Sequence, residues 1–260
     1  MHLTHGGGLF AERFTQMLTE DGVNLHCVPS RSEIRCCCTL INRQHRTVTE
    51  IVEEAPPVSP ETDGLMRRRF ESLLEQSDII TISGTTAEGY QDDIVPWMVK
   101  TASDAGRQVV LDVKGKDLLE SAVHRPYIIK PNFKEFCETL FPQELVREHG
   151  TREDMLDAVC EKMRALHRDF GITAVLTRGA DSVLYFDNGT VREEPIHPVE
   201  PVNTIGSGDA FTAGIAFGMS RQLSLKECIR LAVSCGGKNA GTLKPGSILQ
   251  HAGRNGQSMP

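Results

Sequence analysis

The segment Val109-Val110-Leu111-Asp112-Val113 is apolar at every position except Asp112. A strand covered by helices on both faces is apolar almost throughout, whereas a strand with one face in water alternates between apolar and polar residues. Residues 79–177 repeat short apolar strands between helical segments. This order predicts an α/β fold with a mostly parallel sheet, whose ligands bind beyond the carboxyl ends of the strands.

Apolar periodicity and turn residues predict the elements on either side of that strand. Ser59-Pro60-Glu61 is a typical helix start, and Asn188-Gly189 predicts a two-residue hairpin turn. The predicted helices cover about residues 9–21, 59–76, 92–105, 118–122, 133–141, 152–169, 209–220 and 224–243. The predicted strands cover 34–41, 47–52, 79–82, 109–113, 127–129, 172–177 and 183–186.

Length and charge exclude several classes of protein. A chain of 260 residues predicts one large α/β domain, residues 1–260. Its net charge is −7, so we expect no nucleic-acid partner, because such binding needs a basic surface. No apolar run reaches the ~18–20 residues that span a bilayer, so we expect no membrane partner. The N-terminal residues lack a signal-peptide pattern, which predicts a cytoplasmic location.

The segment Asn203-Thr204-Ile205-Gly206-Ser207-Gly208-Asp209-Ala210-Phe211 opens a predicted helix and could carry chemistry. The first amides of a helix lack internal partners and favour an anion such as phosphate, and glycine lets a ligand approach closely. A carboxylate at this position repels phosphate. Asp209 could nevertheless accept the proton of a hydroxyl group that attacks the phosphate. The pattern fits equally well a capped helix after a flexible turn, with Asp209 stabilising the helix dipole.

Two common nucleotide motifs are absent from the sequence. It contains no Gly-x-x-x-x-Gly-Lys-Ser/Thr segment, which excludes a Walker-type phosphate loop. It contains no Gly-x-Gly-x-x-Gly after a strand, so dinucleotide binding is unsupported.

Gly206-Ser207-Gly208-Asp209, with Asn203-Thr204 before it and Ala213-Gly214 after it, resembles the C-terminal signature of the ribokinase-like carbohydrate kinases, the phosphofructokinase-B family. Other segments resemble elements of that family in the same order. They are Arg35 after Glu33-Ile34, Ser83-Gly84, Val110-Leu111-Asp112, Lys130-Pro131-Asn132 with Glu135, Thr177-Arg178-Gly179-Ala180 and residues 237–246. The resemblance implies a three-layer sandwich with a mostly parallel sheet and a small β lid at about residues 33–52.

The resemblance also implies roles for particular residues, with ATP as co-substrate and Mg²⁺ as cofactor. The implied catalytic residues are Asp209, Gly206, Ser207 and Gly208. The implied nucleotide-binding residues are Thr177, Gly179, Ala180, Gly208, Asn239 and Gly246. The implied substrate-binding residues are Arg35, Ser83, Gly84 and Asp209, and the implied metal-binding residues are Asn132 and Glu135.

Simpler interpretations stay open for three of these sites. Glu135 also fits a first-turn acid that stabilises its helix, and Arg35 fits a surface residue of a strand. Thr177 and Gly179 also fit an ordinary turn between strands.

The resemblance is strongest to the branch that contains 1-phosphofructokinase and tagatose-6-phosphate kinase. It implies an ATP-dependent kinase acting on fructose 1-phosphate, tagatose 6-phosphate or fructose 6-phosphate, and a homodimer formed through the lid strands. The family's first strand with its sugar-binding Asp, and its Gly-Gly-Lys-Gly-x-Asn element, are not seen. Either the true start lies upstream or part of the sugar pocket is missing. The alternatives are therefore a catalytically impaired nucleotide-binding remnant or a ribose or nucleoside kinase.

Overall fold

The computed structural model describes residues 1–42, 44–45, 47–142 and 152–248. The chain divides into two compact units. Met1–Asp78 and Gly84–Arg107 form the first unit, and Ile79–Ser83 with the residues from Gln108 onward forms the second.

The described residues of the first unit form two small sheets and three helices. β1 (His2–Gly6) pairs in parallel with β2 (Leu25–Pro29), and β3 (Cys37–Asn42) pairs antiparallel with β4 (Thr47–Val52). The helices are α1 (Ala11–Glu20), α2 (Pro60–Leu74) and α3 (Ile94–Asp104). Helix α2 packs against α3, β1 and β2, and it begins as predicted, with the Ser59 hydroxyl accepting a hydrogen bond from the Thr62 amide.

The sequence did not predict β1 and β2, because their side chains are mixed polar and apolar and neither strand alternates clearly. The glycines after β1 serve a close approach of two chain segments, since a Cβ at Gly7 would lie 1.9 Å from the Ser30 carbonyl oxygen. The Ile34 amide donates to the Gly7 carbonyl, and the Cys36 amide donates to the Glu53 carboxylate. These bonds divert the chain, so β3 begins at Cys37 and not at the predicted residue 34.

The second unit is built on one six-stranded sheet in the order β10-β9-β8-β7-β6-β5. Neighbouring strands are parallel from β5 (Ile79–Ser83) through β6 (Gln108–Asp112) and β7 (Ile128–Ile129) to β8 (Thr173–Arg178). β9 (Asp181–Asp187) and β10 (Thr190–Glu194) add an antiparallel hairpin at one edge. Its turn has positive φ at Asn188 (48°) and Gly189 (81°), as the sequence predicted.

Helices cover both faces of this sheet. The helices within the described residues of the second unit are α4 (Gly115–Ala122), α5 (Phe133–Leu140), α6 (Arg152–Phe170), α7 (Ser207–Ser220) and α8 (Leu225–Ala240). Val110, Ile128 and Val175 share one core with α7 and α8, while α5 and α6 contact β8. Val109 and Leu111 are also fully buried, and side chains alternate along a strand, so these two belong to the opposite face. The predicted α/β fold with a mostly parallel, doubly covered sheet is confirmed.

No helix within the described residues is both long enough and apolar enough to span a lipid bilayer.

Candidate active site

Several of the predicted site residues meet at the carboxyl end of the parallel strands in the second unit. Ser83 ends β5 and pairs in register with Asp112, the last residue of β6. Asn132, just after β7, forms an isolated bridge with Thr177 near the end of β8. Because parallel strands end at one edge of a sheet, this edge gathers residues that are far apart in sequence.

The first turn of α7 offers backbone amides to an anion. Gly206 precedes the helix with a φ of 74°, a left-handed conformation that suits glycine. The Ser207 amide donates to the Thr204 carbonyl. The amides of Gly208 and Asp209 form no hydrogen bond to any described residue. These two amides are therefore free to bind an anion, whereas the Ser207 amide is already bonded within the protein.

Asp209 lies in this first turn and is exposed. An exposed carboxylate beside free amides can accept a proton from a bound hydroxyl while the amides stabilise negative charge. The helix-dipole interpretation is compatible with the same position, because an acid in the first turn also stabilises a helix.

A buried ion pair lies next to this turn, and sequence reasoning missed it as part of the site. Lys130 Nζ lies 3.2 Å from Asp112 Oδ1, and the Lys130 side chain is only 4% exposed. The Thr212 hydroxyl donates to Asp112 Oδ2 at 2.8 Å. The sequence did offer one signal for the pair, since the apolar strands β6 and β7 are each followed or ended by a charged residue, Asp112 and Lys130.

Burial raises the pKa of the Asp112 carboxyl, while Lys130 and the Thr212 hydroxyl lower it. The charge of Asp209 raises the pKa of Asp112 further. The two carboxylates therefore interact electrostatically across the start of α7.

Asn132 and Glu135 form a reciprocal capping box at the start of α5. The Asn132 side chain accepts from the Glu135 amide at 2.9 Å, and the Glu135 carboxylate accepts from the Asn132 amide at 3.0 Å. Lys114 Nζ lies 3.5 Å from the other carboxylate oxygen of Glu135. The first-turn role that the sequence left open for Glu135 is thus present in the structure.

The same pair fits a magnesium ion held mainly through water. Mg²⁺ keeps several waters and uses one or two carboxylates beside phosphate oxygens. The Glu135 side chain is 27% exposed, so its carboxylate can also accept from a metal-bound water. Within the described part of the chain, no group of three His, Cys, Asp or Glu side chains could form an all-protein cage.

Two buried asparagines hold the loops around the α7 turn. The Asn203 side chain accepts from the Ile205 amide and donates to the Leu243 carbonyl. Asn239 is fully buried, and its amide group donates to the Ile205 carbonyl and to the Ser207 hydroxyl. The Asn239 side-chain oxygen Oδ1 accepts from the Gly246 amide at 2.8 Å. Asn239 therefore joins the Gly206 turn to the segment that ends at Gly246.

The remaining predicted residues lie in turns and extended segments. Thr177 is half-buried near the end of β8, and Gly179 (φ 70°) and Ala180 form the exposed turn that follows. Ser83 is exposed, and Gly84 has a φ of 98°.

Arg35 belongs to the first unit, where it is exposed in the irregular segment before β3. It is therefore not a residue of the strand, contrary to the simpler interpretation from the sequence. The β3–β4 hairpin that follows exposes the apolar side chains of Leu40, Val48, Ile51 and Val52.

The chain resembles known proteins in sequence and in fold. Residues 4–250 match the family model for pfkB family carbohydrate kinases. The chain is 26% identical to 1-phosphofructokinase of Bacillus subtilis over 236 residues, which cover 90% of this chain and 73% of that protein.

Solved structures with the same fold include two kinases. Phosphofructokinase-2 from Escherichia coli in complex with fructose-6-phosphate matches with a TM-score of 0.79 and 19% identity, over 95% of this chain and 78% of that one. Adenosine kinase from Anopheles gambiae matches with a TM-score of 0.72 and 18% identity, over 97% of this chain and 76% of that one. At these identities the two structures establish the fold alone.

Proposed function

This chain belongs to the pfkB family of carbohydrate kinases, and from that premise we propose that it transfers the γ-phosphoryl group of ATP to a hydroxyl of a ketohexose phosphate. The product is a bisphosphate. The observation that carries the proposal is the exposed Asp209 carboxylate in the first turn of α7, beside the free amides of Gly208 and Asp209.

The chemistry follows from these groups. Asp209 accepts the proton of the attacking hydroxyl. The sugar oxygen bonds to the γ-phosphorus while the bond from that phosphorus to the β–γ bridging oxygen breaks, and ADP leaves with that electron pair. The amides of Gly208 and Asp209 hold the transferring oxygens. Because Asp209 is exposed, its proton then passes to water.

The nucleotide would lie along the carboxyl edge of the sheet. Thr177, Gly179 and Ala180 contribute an exposed turn there, and Asn239 and Gly246 shape the segment after α8. Asn132 and Glu135 would hold Mg²⁺ through water. When bound, that ion neutralises charge on the phosphates.

The substrate phosphate would bind Arg35, because an exposed planar guanidinium can hold two phosphate oxygens at once. Ser83 and Gly84 would contact the sugar. The proposed acceptors are fructose 1-phosphate, fructose 6-phosphate and tagatose 6-phosphate. The similarity to a 1-phosphofructokinase supports a ketohexose phosphate as the acceptor.

We also propose that two chains associate through β3 and β4, since this hairpin exposes apolar side chains in a row of strand positions. Sedimentation of the protein with Ile51→Lys would then show monomers where the unchanged chain forms dimers. A cytoplasmic location stays a prediction from the sequence.

The proposed reaction is tested by measuring ADP formation with each of the three ketohexose phosphates, and with ribose and adenosine as controls. Turnover of at least one ketohexose phosphate, well above both controls, is the expected result. Faster turnover of ribose or adenosine, together with no effect of Arg35→Ala, would identify the substrate as unphosphorylated. Calorimetric binding of ATP without any turnover would identify a nucleotide-binding remnant.

A further inference from the structure

The Lys130–Asp112 ion pair is buried at the edge of the sheet, and neither residue has a role in the steps above. The Asp112 side chain is 16% exposed and the Lys130 side chain 4%. Removing one partner of such a pair leaves an uncompensated charge, which strongly destabilises a protein. The energetic cost of separating the two charges therefore keeps Lys130 and Asp112 in contact.

The Lys130 ammonium lies directly against the phosphoryl end of the proposed site. A Cβ built on Gly208 would have Lys130 Nζ as its neighbour, at 3.7 Å. Gly208 also supplies a free amide of the α7 turn. The ammonium group carries three donors, and Asp112 takes one of them.

Asp112 also contacts α7, the helix that carries the amides. Its second oxygen accepts from the Thr212 hydroxyl, and Thr212 lies one turn after Gly208 on α7 and also bonds to the Gly208 carbonyl at 3.1 Å. One carboxylate thus contacts the end of β7 through Lys130 and the start of α7 through Thr212.

We propose that Asp112 is a positioning residue that fixes the Lys130 ammonium and the first turn of α7 relative to each other, so that both are in place before a phosphoryl group arrives. This inference rests on the proposed kinase function. Asp112 acts through Lys130 and does not itself touch the phosphoryl group. Donors that are fixed in advance stabilise a transition state without reorganisation.

The proposal predicts an unusual pattern in Asp112→Asn. The amide keeps the size of the carboxyl and can still accept from Thr212, but it no longer fixes the ammonium. We expect kcat to fall about 10–100-fold, which is less than the roughly 10²–10³-fold loss on removal of an oxyanion-hole donor, because the ammonium is displaced and not removed. The KM for ATP should not rise, because removing a negative charge near an anion site does not weaken binding of the anion. A general structural defect would impair both constants.

A double-mutant cycle measures whether Asp112 acts through Lys130. In a Lys130→Met background, Asp112→Asn should cost less than about twofold further in kcat, because the group it positions is gone. Additive losses, or full activity of Asp112→Asn, would overturn the proposal. If either single variant does not fold, Thr212→Val is measured alone, since it leaves both charges and removes the bond between Asp112 and α7. It should lower kcat without raising the KM for ATP, and an unchanged kcat would overturn the proposal.

Glu194→Gln is the matched control. Glu194 is 11% exposed and pairs at 2.8 Å with Arg230, whose side chain is 58% exposed, so this variant also removes the charge of a largely buried carboxylate that has a cationic partner. It lies outside the proposed machinery, and it should lower Tm while kcat stays within about twofold of the unchanged enzyme.

A chain without turnover on any acceptor would defeat the proposed function while leaving the role of Asp112 open to a structural test. The crystal structure of Asp112→Asn with a non-hydrolysable ATP analogue then decides. Displacement of Lys130 Nζ from Gly208 by more than about 1 Å supports the positioning role. An unmoved ammonium refutes it, and failure of the unchanged chain to bind the analogue refutes both proposals.

Discussion

Glycine has different neighbours in the first turn of α7 and in the middle of the same helix. At Gly208 an added Cβ would meet only Lys130 Nζ, at the ordinary contact distance of 3.7 Å. At Gly214 an added Cβ would lie 2.6 Å from Cα of Ala232 on α8, and at Gly218 it would lie 2.8 Å from Sγ of Cys228. The folded chain has room for a side chain at Gly208, whereas the packing of α7 against α8 requires glycine at Gly214 and Gly218.

The difference separates two demands on one helix. Gly214 and Gly218 let α7 and α8 approach closely enough to share the core on one face of the sheet. Gly208 keeps space open beside an ammonium and free amides, where a ligand is expected. Changes in the body of α7 should therefore affect stability, and changes in its first turn should affect activity.

The largest effect is expected for Asp209→Asn. Removing a general base lowers turnover by about 10²–10⁴-fold. The affinity for ATP should change little, because Asp209 acts on the hydroxyl of the acceptor. The measurement is kcat for the best sugar phosphate together with calorimetry for ATP, and wild-type turnover in this variant would refute the catalytic role.

Gly208→Ala should separate activity from stability most clearly. Its methyl group fits the folded chain, and the free energy of unfolding should stay constant or rise by up to about 1 kcal/mol, since alanine favours helix. The methyl group would lie 3.7 Å from the ammonium, where the phosphoryl group is expected, so we expect kcat to fall. The expected loss is about 10–100-fold, as for a misplacement of the reacting groups by about 1 Å. Thermal unfolding and steady-state kinetics on one preparation test both parts. A variant that unfolds, or one that is fully active, contradicts the comparison.

Gly214→Ala should show the opposite pattern. The new methyl group meets backbone atoms of α8, and overpacking of this kind costs about 1–3 kcal/mol. Alanine's higher helix propensity offsets about 1 kcal/mol of that cost. The net cost of up to about 2 kcal/mol should lower Tm by up to about 8 °C, with little change in kcat for the folded fraction. Calorimetric unfolding measures the shift, and a Tm that rises would show that the helices separate without cost.

The two capping boxes offer the smallest test of the same division. Glu135 caps α5 at the proposed site, and Glu227 caps α8 with Ser224 in the same reciprocal arrangement. Glutamine can also complete a capping box, so Glu135→Gln and Glu227→Gln should each lower Tm by no more than about 2 °C. Only Glu135→Gln should lower kcat or weaken the response to Mg²⁺. Equal activity of the two variants would leave Glu135 with a capping role alone.

Acid titration sharpens the Glu227 control. The Ser224 side chain, followed by the Ser224 amide, lowers the pKa of Glu227. A lowered pKa stabilises the fold above the unfolded-state pKa, and this contribution is lost as the pH falls through the lowered value. The Tm difference between Glu227→Gln and the unchanged chain should therefore shrink on acidification, as thermal unfolding at several pH values would show.

Local signals predicted most of the second unit. The apolar run at β6 predicted a strand covered on both faces, and Asn188-Gly189 predicted the hairpin turn. The glycines before Asp209 indicated where α7 begins. Each of these depends on residues that are adjacent in sequence. The Ser59 cap and α2 in the first unit were predictable for the same reason.

The missed features depend on contacts between distant residues. The Lys130–Asp112 pair exists because β6 and β7 are neighbours with Leu111 opposite Ile129, which places the following residues of the two strands side by side. Thr212 reaches Asp112 across 100 residues of sequence. A linear pattern gives no register, so neither contact could be predicted from composition or spacing.

Asn239 makes the two loops around the proposed nucleotide site mechanically dependent on each other. Its one amide group is bonded to Ile205 and Ser207 on one side and to Gly246 on the other. A ligand that orders the segment after α8 should therefore also order the turn before α7. Binding of the adenine and alignment of the phosphates should then be coupled. Hydrogen exchange at both loops should slow in parallel when a nucleotide binds, and Asn239→Ala should uncouple the two rates.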